Sequence, residues 1–180
     1  DPMMAFQPFS KASIERPPVP MLIRAATQND IPSILDIVFP VLRAGETYVM
    51  PTDMTKDDVI SYWMGNDKET LVAEEDGKIV GTYYIRANQP GYGAHVANCG
   101  YMTAPEAAGR GIARRMCEDS LLRAKERGFK AMQFNFVMAC NTAAVHLWPK
   151  LGFEIVGRLP GAYMHPVHGE TDALIMYRKL

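Results

Sequence analysis

The stretch PEAAGRGIARRMCEDSLL, Pro105 to Leu122, decides the reading of this chain. A short apolar strand, Gly100 to Thr103, runs into it. The glycine turn Gly109-Arg110-Gly111 follows. Ile112, Ala113, Met116, Cys117, Ser120, Leu121 and Ala124 then recur at helical spacing. Glycines without side chains let a ligand approach the backbone. The first N–H groups of a helix lack internal partners and sit at the positive end of its dipole. Strand, glycine turn and helix start together make a phosphate cradle or, more simply, a tight turn. The spacing is not that of a Walker loop, and Arg114 stands where the dinucleotide fingerprint needs its third glycine.

Working outward, Lys130 to Met138 is predicted as a strand, with Gly128 capping the long helix before it. Asn141 to Leu151 is predicted as a helix ending at Gly152. Phe153 to Arg158 and Thr171 to Arg178 follow as strands, joined by a loop carrying Pro160, Gly161, Pro166 and Gly169. Upstream, Met21 to Ala25 starts the sheet. Ile31, Ile34, Leu35, Val38 and Leu42 make an apolar helical stripe that Pro40 is expected to kink or end. Thr55 is expected to cap a helix through Trp63 and Met64. Asp76-Gly77 joins strands Thr70 to Glu74 and Lys78 to Arg86 as a hairpin, and His95 to Thr103 is the next strand. Strands and helices intermix, so the class is α/β with a mixed sheet.

Composition narrows the function. A chain of 180 residues, 48% apolar, with a net charge of −1, suits one folded domain. Without a basic excess, nucleic acid is not an expected partner. No apolar run approaches the ~20 residues of a membrane span, so no membrane association is expected. Cys99, Cys117 and Cys140 lie in apolar segments at no zinc-like spacing. They are expected to be reduced core thiols in a cytoplasmic protein, with no metal. Residues 1–20 are proline-rich and irregular, and Asp1-Pro2 resembles a cloning remnant, which leaves 21–180 as the working domain.

Ala108-Gly109-Arg110-Gly111-Ile112-Ala113 resembles the pyrophosphate motif of the GCN5-related N-acetyltransferases, Arg/Gln-x-x-Gly-x-Gly/Ala. NTAAVHLWPKLGF, Asn141 to Phe153, resembles that family's second signature, in the right order and at the right separation. Two positions depart: Ala108 replaces the usual Arg or Gln, and Trp148 replaces the Tyr that often serves as general acid. The resemblance implies a mostly antiparallel central sheet splayed between the fourth and fifth strands and flanked by helices. It implies acetyl-CoA as donor, direct attack by an amine in a ternary complex, and a homodimer. On the donor side it implies Met102, Thr103, Ala108, Gly109, Arg110, Gly111, Ile112, Ala113, Arg114, Asn141 and Trp148. Glu46, Tyr48 and Trp63 would contact the acceptor.

Two amides carry the catalytic expectation. Asn98 sits in an apolar strand, and Asn135 lies between Phe134 and Phe136. A buried amide without partners costs roughly 1–3 kcal/mol, so each bonds to backbone or to something in the site. Held at the splay, they would orient the acceptor, an oxyanion or an ordered water. Glu74, Glu75, His146 and water are the candidate bases. The tail from Gly157 to Lys179 resembles the subgroup acetylating proline analogues such as azetidine-2-carboxylate, which implies a small amino or imino acid as acceptor. The alternatives are a protein N-terminus or lysine, an antibiotic or herbicide amine, or a non-catalytic acyl-CoA-binding domain.

Overall fold

A computed structural model describes residues 20–180; the expected irregular extension and its cloning remnant fall almost entirely outside them. Seven strands form one sheet in the order β1-β2-β3-β4-β5-β7-β6. They are β1 (Met21–Ala25), β2 (Glu69–Glu75), β3 (Lys78–Ala87), β4 (Val96–Thr103), β5 (Ala131–Met138), β6 (Glu154–His165) and β7 (Gly169–Lys179). All neighbours are antiparallel except β4 and β5. Those two run parallel and pair only at Val96 with Ala131 and Ala97 with Met132, then part.

The helices are α1 (Ile31–Ala44), α2 (Lys56–Trp63), α3 (Ile112–Glu126) and α4 (Thr142–Lys150). Alternation along β3 and β4 sends neighbouring side chains to opposite faces. Tyr83 and Tyr101 meet α3, where their hydroxyls bond Asp119 at 2.6 Å and Ser120 at 2.6 Å. Thr82 and Tyr84 meet α2, whose Trp63 donates its indole N–H to Thr82 Oγ1 at 3.0 Å. The chain start is clamped by Arg24, which bridges Asp30 at 2.8 Å and Glu74 at 3.0 Å.

Two local expectations are corrected. Pro40 does not end α1, which runs on to Ala44 with Gly45 in the left-handed region at its end. Pro40 and Asp36 both lie on the exposed side, so the carbonyl that Pro40 leaves unbonded faces solvent. The proline-containing tail is not a loop, because β6 extends through Pro160 and Gly161 to His165 and turns directly into β7. β6 is an edge strand, where a proline removes no ladder bond. An irregularity between Leu159 and Tyr163 absorbs Gly161, whose N–H donates to Asp172 at 2.9 Å.

Candidate active site

The parting of β4 and β5 opens a cleft of about 420 Å³ through the sheet. β5 lines it with five successive residues, Phe134 to Met138. Successive lining is possible because the β5–β7 register shifts between Phe134 and Val137, which breaks the alternation of the strand. α4 contributes Ala144 and Trp148, and the segment after α1 contributes Thr47, Tyr48, Val49 and Met50.

The glycine turn follows the end of β4 and is not itself among the residues that line the cleft. Gly109 and Gly111 have φ of +76° and +77°, and nothing lies within 4 Å of where a Cβ would be built on either. Among the described residues, no acceptor takes the backbone N–H groups of Gly109 to Arg114, and the first helical bond runs from Arg115 N–H to the Gly111 carbonyl. These open donors fit a pyrophosphate without needing a side chain at Ala108, which is exposed. Arg110 is ion-paired with Glu75, and Arg114 with Glu118 at 3.0 Å.

The free edge of β4 forms one wall. Asn88 N–H donates to the Val96 carbonyl and Ala104 N–H to the Val80 carbonyl, so even-numbered residues of β4 turn their backbone toward β3. By alternation, Cys99, Tyr101 and Thr103 turn theirs toward the gap. Thr103 is therefore placed as expected, but the backbone groups of Met102 belong to the β3 ladder, and Tyr101 takes its place on the edge. The Tyr101 carbonyl accepts from the Tyr48 hydroxyl at 3.2 Å. An extended chain bearing amides fits such an edge.

Asn98 and Asn135 both line the cleft. Asn98 donates to the Gln133 carbonyl at 2.9 Å and accepts from Arg86 Nε at 3.4 Å. It thus bridges β4 to β5 just past their last backbone pair. Asn135 accepts from Gln133 Nε2 at 2.9 Å and donates to Asn88 at 2.6 Å. Asn141 lines the cleft and caps α4, accepting from Ala144 N–H at 3.3 Å. Trp148 is nearly buried, with ring centroids 5.3 Å from Tyr101 and 5.1 Å from Phe134.

Two expected acceptor contacts fall outside. Trp63 is fully buried between Tyr48 and Tyr84, because its ring fills the gap between α2 and the sheet. Glu46 is solvent-exposed and does not line the cleft. Three of the proposed bases are also elsewhere: Glu74 and Glu75 pair with Arg24 and Arg110 on β2, and His146 is exposed on α4. Tyr163 lies outside the lining. It donates to the Gly45 carbonyl and packs edge-on against Phe136 at 6.1 Å, bracing a wall.

Among the described residues, the lining contains no carboxylate and no histidine, and its one charged side chain is Arg86, which sequence reading passed over. Burial pushes the Tyr48 and Tyr84 hydroxyls well above the ordinary phenol range. Burial likewise pushes the Cys99 and Cys117 thiols up to about 12, so neither offers a thiolate near neutral pH. All three cysteines are free, with Cys140 only half-buried. Among the described residues no cluster of three metal-ligating side chains forms, and no helix is long and apolar enough to cross a membrane.

Known proteins share this arrangement. The sequence model of the Acetyltransferase (GNAT) family matches residues 35–153. The chain is 27% identical over 151 residues to the N-acetyltransferase aca1 of Schizosaccharomyces pombe, covering 74% of this chain and 72% of that protein. It superposes on a GCN5-related N-acetyltransferase from Kribbella flavida with a TM-score of 0.85 at 40% identity, covering 89% of this chain and 98% of that one. A ribosomal-protein-alanine N-acetyltransferase from Brucella melitensis gives 0.78 at 27% identity, covering 88% and 99% respectively. The open N–H groups of the glycine turn, the parted parallel strands and the family match converge: this chain belongs to the GNAT family and is an acetyl-CoA-dependent N-acetyltransferase of that type.

Proposed function

We propose that the chain acetylates the amine of a small amino or imino acid, of the size and kind of a proline analogue. The observation that carries this reading is the lining of the cleft: amides, tyrosines and apolar groups around about 420 Å³, with no carboxylate among the described residues to attract a polycation. Gly109 to Ala113 would hold the pyrophosphate of acetyl-CoA, and the Tyr101 and Thr103 backbone its pantetheine amides. Bound there, acetyl-CoA supplies an activated acyl carbon. The acceptor nitrogen attacks that carbon directly: the C–N bond forms, the C–S bond breaks, and the thiolate leaves. With no carboxylate or histidine among the described residues that line the cleft, the amine proton passes to water. Asn98 holds the two strands at the width the reaction needs, and Asn135 orients the acceptor or that water.

The test is coenzyme A thiol release from acetyl-CoA, with and without azetidine-2-carboxylate or cis-4-hydroxyproline. A strong acceptor-dependent rate supports the reading; no rate above background overturns it. The Brucella relative acts, by its name, on a ribosomal protein's alanine, so a peptide beginning with alanine belongs in the same panel. An Asn98→Ala or Asn135→Ala enzyme that folds and turns over normally would remove those residues from the mechanism. A cytoplasmic homodimer completes the proposal. Ile155, Val156 and Leu159 on the edge strand β6 offer an exposed apolar face for a second copy, and light scattering measures the mass.

A further inference from the structure

Arg86 is the next-to-last residue of β3, directly opposite Asn98 on β4. A guanidinium carries five N–H donors in a planar fork. Here Nε bonds Asn98, and among the described residues neither terminal nitrogen makes a hydrogen bond. The nearest carboxylate oxygen, on Asp67, is 3.8 Å from Nη1. That carboxylate is exposed and already bonded to Lys68 at 3.0 Å and 3.2 Å. Lys68 is almost wholly buried, its ammonium 4.4 Å from the Tyr62 ring centre and 5.4 Å from that of Tyr84. Two cations thus share one anion behind the tyrosine wall, leaving this part of the cleft with one net positive charge.

We propose that Arg86 is the carboxylate anchor of the acceptor subsite, so that the accepted amine is one carrying its own carboxylate close by. The proposal rests on the small-acceptor reading above and sharpens it. A carboxylate matches the unused edge of the fork bidentately and balances the excess charge. Asn98 fixes the guanidinium through Nε, which leaves the terminal nitrogens to the substrate. A diamine or a lysine side chain meets a like charge instead.

The experiment compares each acid with its own carboxamide, for example azetidine-2-carboxylate against azetidine-2-carboxamide, in the same thiol-release assay. The wild-type enzyme should favour the acid by roughly 10- to 100-fold in kcat/KM, the range of a charge-assisted bidentate contact. In Arg86→Gln the ratio should collapse toward one through the KM of the acid, and Arg86→Lys should restore part of it. Acetyl-CoA binding by calorimetry reports whether each variant is folded. If Arg86→Gln does not fold, the wild-type ratio still decides, together with competitive inhibition by an amine-free analogue, tetrahydrofuran-2-carboxylate. Equal use of acid and amide, or an acid preference unchanged in Arg86→Gln, overturns the anchor while leaving small-amine acetylation intact. Turnover of neither acid nor amide overturns the small-acceptor reading itself, and the anchor with it.

Discussion

Replacing Trp63 by Phe separates a core residue from a substrate contact. The indole is fully buried and does not line the cleft; its N–H reaches Thr82 Oγ1 at 3.0 Å and its ring packs edge-on against Tyr48 and Tyr84. Phe keeps an aromatic edge for Tyr84 but loses the hydrogen bond, worth about 1 kcal/mol. The smaller ring leaves roughly 40 Å³ unfilled, which at ~24 cal/mol per Å³ adds about 1 kcal/mol. The lost transfer free energy of the missing atoms brings the total to about 2–3 kcal/mol. For a domain of this size that lowers Tm by roughly 4–12 °C. Urea unfolding followed by circular dichroism measures the loss, and thiol release at saturating acetyl-CoA measures the acceptor KM. The expected result is a lower midpoint with an acceptor KM close to wild type. An unshifted midpoint with a several-fold higher acceptor KM would refute the assignment of Trp63 to the core.

Three further outcomes follow from the geometry. The Asp30 carboxyl is held down to about 2, chiefly by its bonds to the Arg24 guanidinium and also by the Thr27 N–H. Its stabilisation is therefore full above the ordinary carboxyl pKa of about 4 and is lost as pH falls through about 2, so Asp30→Asn should remove at most about 2 kcal/mol of acid sensitivity in that window, read from urea midpoints across pH. Gly111→Val should raise the KM for acetyl-CoA far more than that for the acceptor, because a side chain at φ +77° strains the backbone by about 1–2 kcal/mol and projects where donor phosphate would sit; equal effects on both would argue against a donor cradle. The rate should climb steadily toward alkaline pH as the acceptor amine loses its proton. A bell-shaped profile that moves when one carboxylate or histidine is mutated would count against proton loss to water.

Local pattern carried much of this fold. The stripe from Ile112 to Ala124, the Asp76-Gly77 hairpin and the Asn141 and Thr55 caps are short-range signals, and each stands where its chemistry places it. The glycine turn was legible for the same reason, since two glycines at a helix start need no tertiary information. What failed depended on neighbours far along the chain. Pro160 and Gly161 look like loop residues until β6 is known to be an edge, where a missing donor and an irregular register cost little. Trp63 and Tyr48 looked alike in sequence, yet only Tyr48 lines the cleft. Arg86 was passed over because its importance lies in register: it stands opposite Asn98, and Asp67 is already engaged by Lys68. No spacing in the sequence encodes that triangle.

The brief pairing of β4 with β5 has a mechanical consequence. β1 to β4 come from residues 21–103 and β5 to β7 from residues 131–179, so the sheet is two leaves, each drawn from its own half of the chain. Two backbone pairs, the Lys130 N–H on the His95 carbonyl, the Asn98 side chain and the Asn135–Asn88 bond are among the links that form the seam between them. Like a book held near one end of its spine, the pair gapes most at the far end, where the glycine turn follows β4 and α4 follows β5. A molecule lying along the gap touches both leaves at once and resists their parting. Occupancy of this site and stiffness of the sheet are thus a single mechanical property.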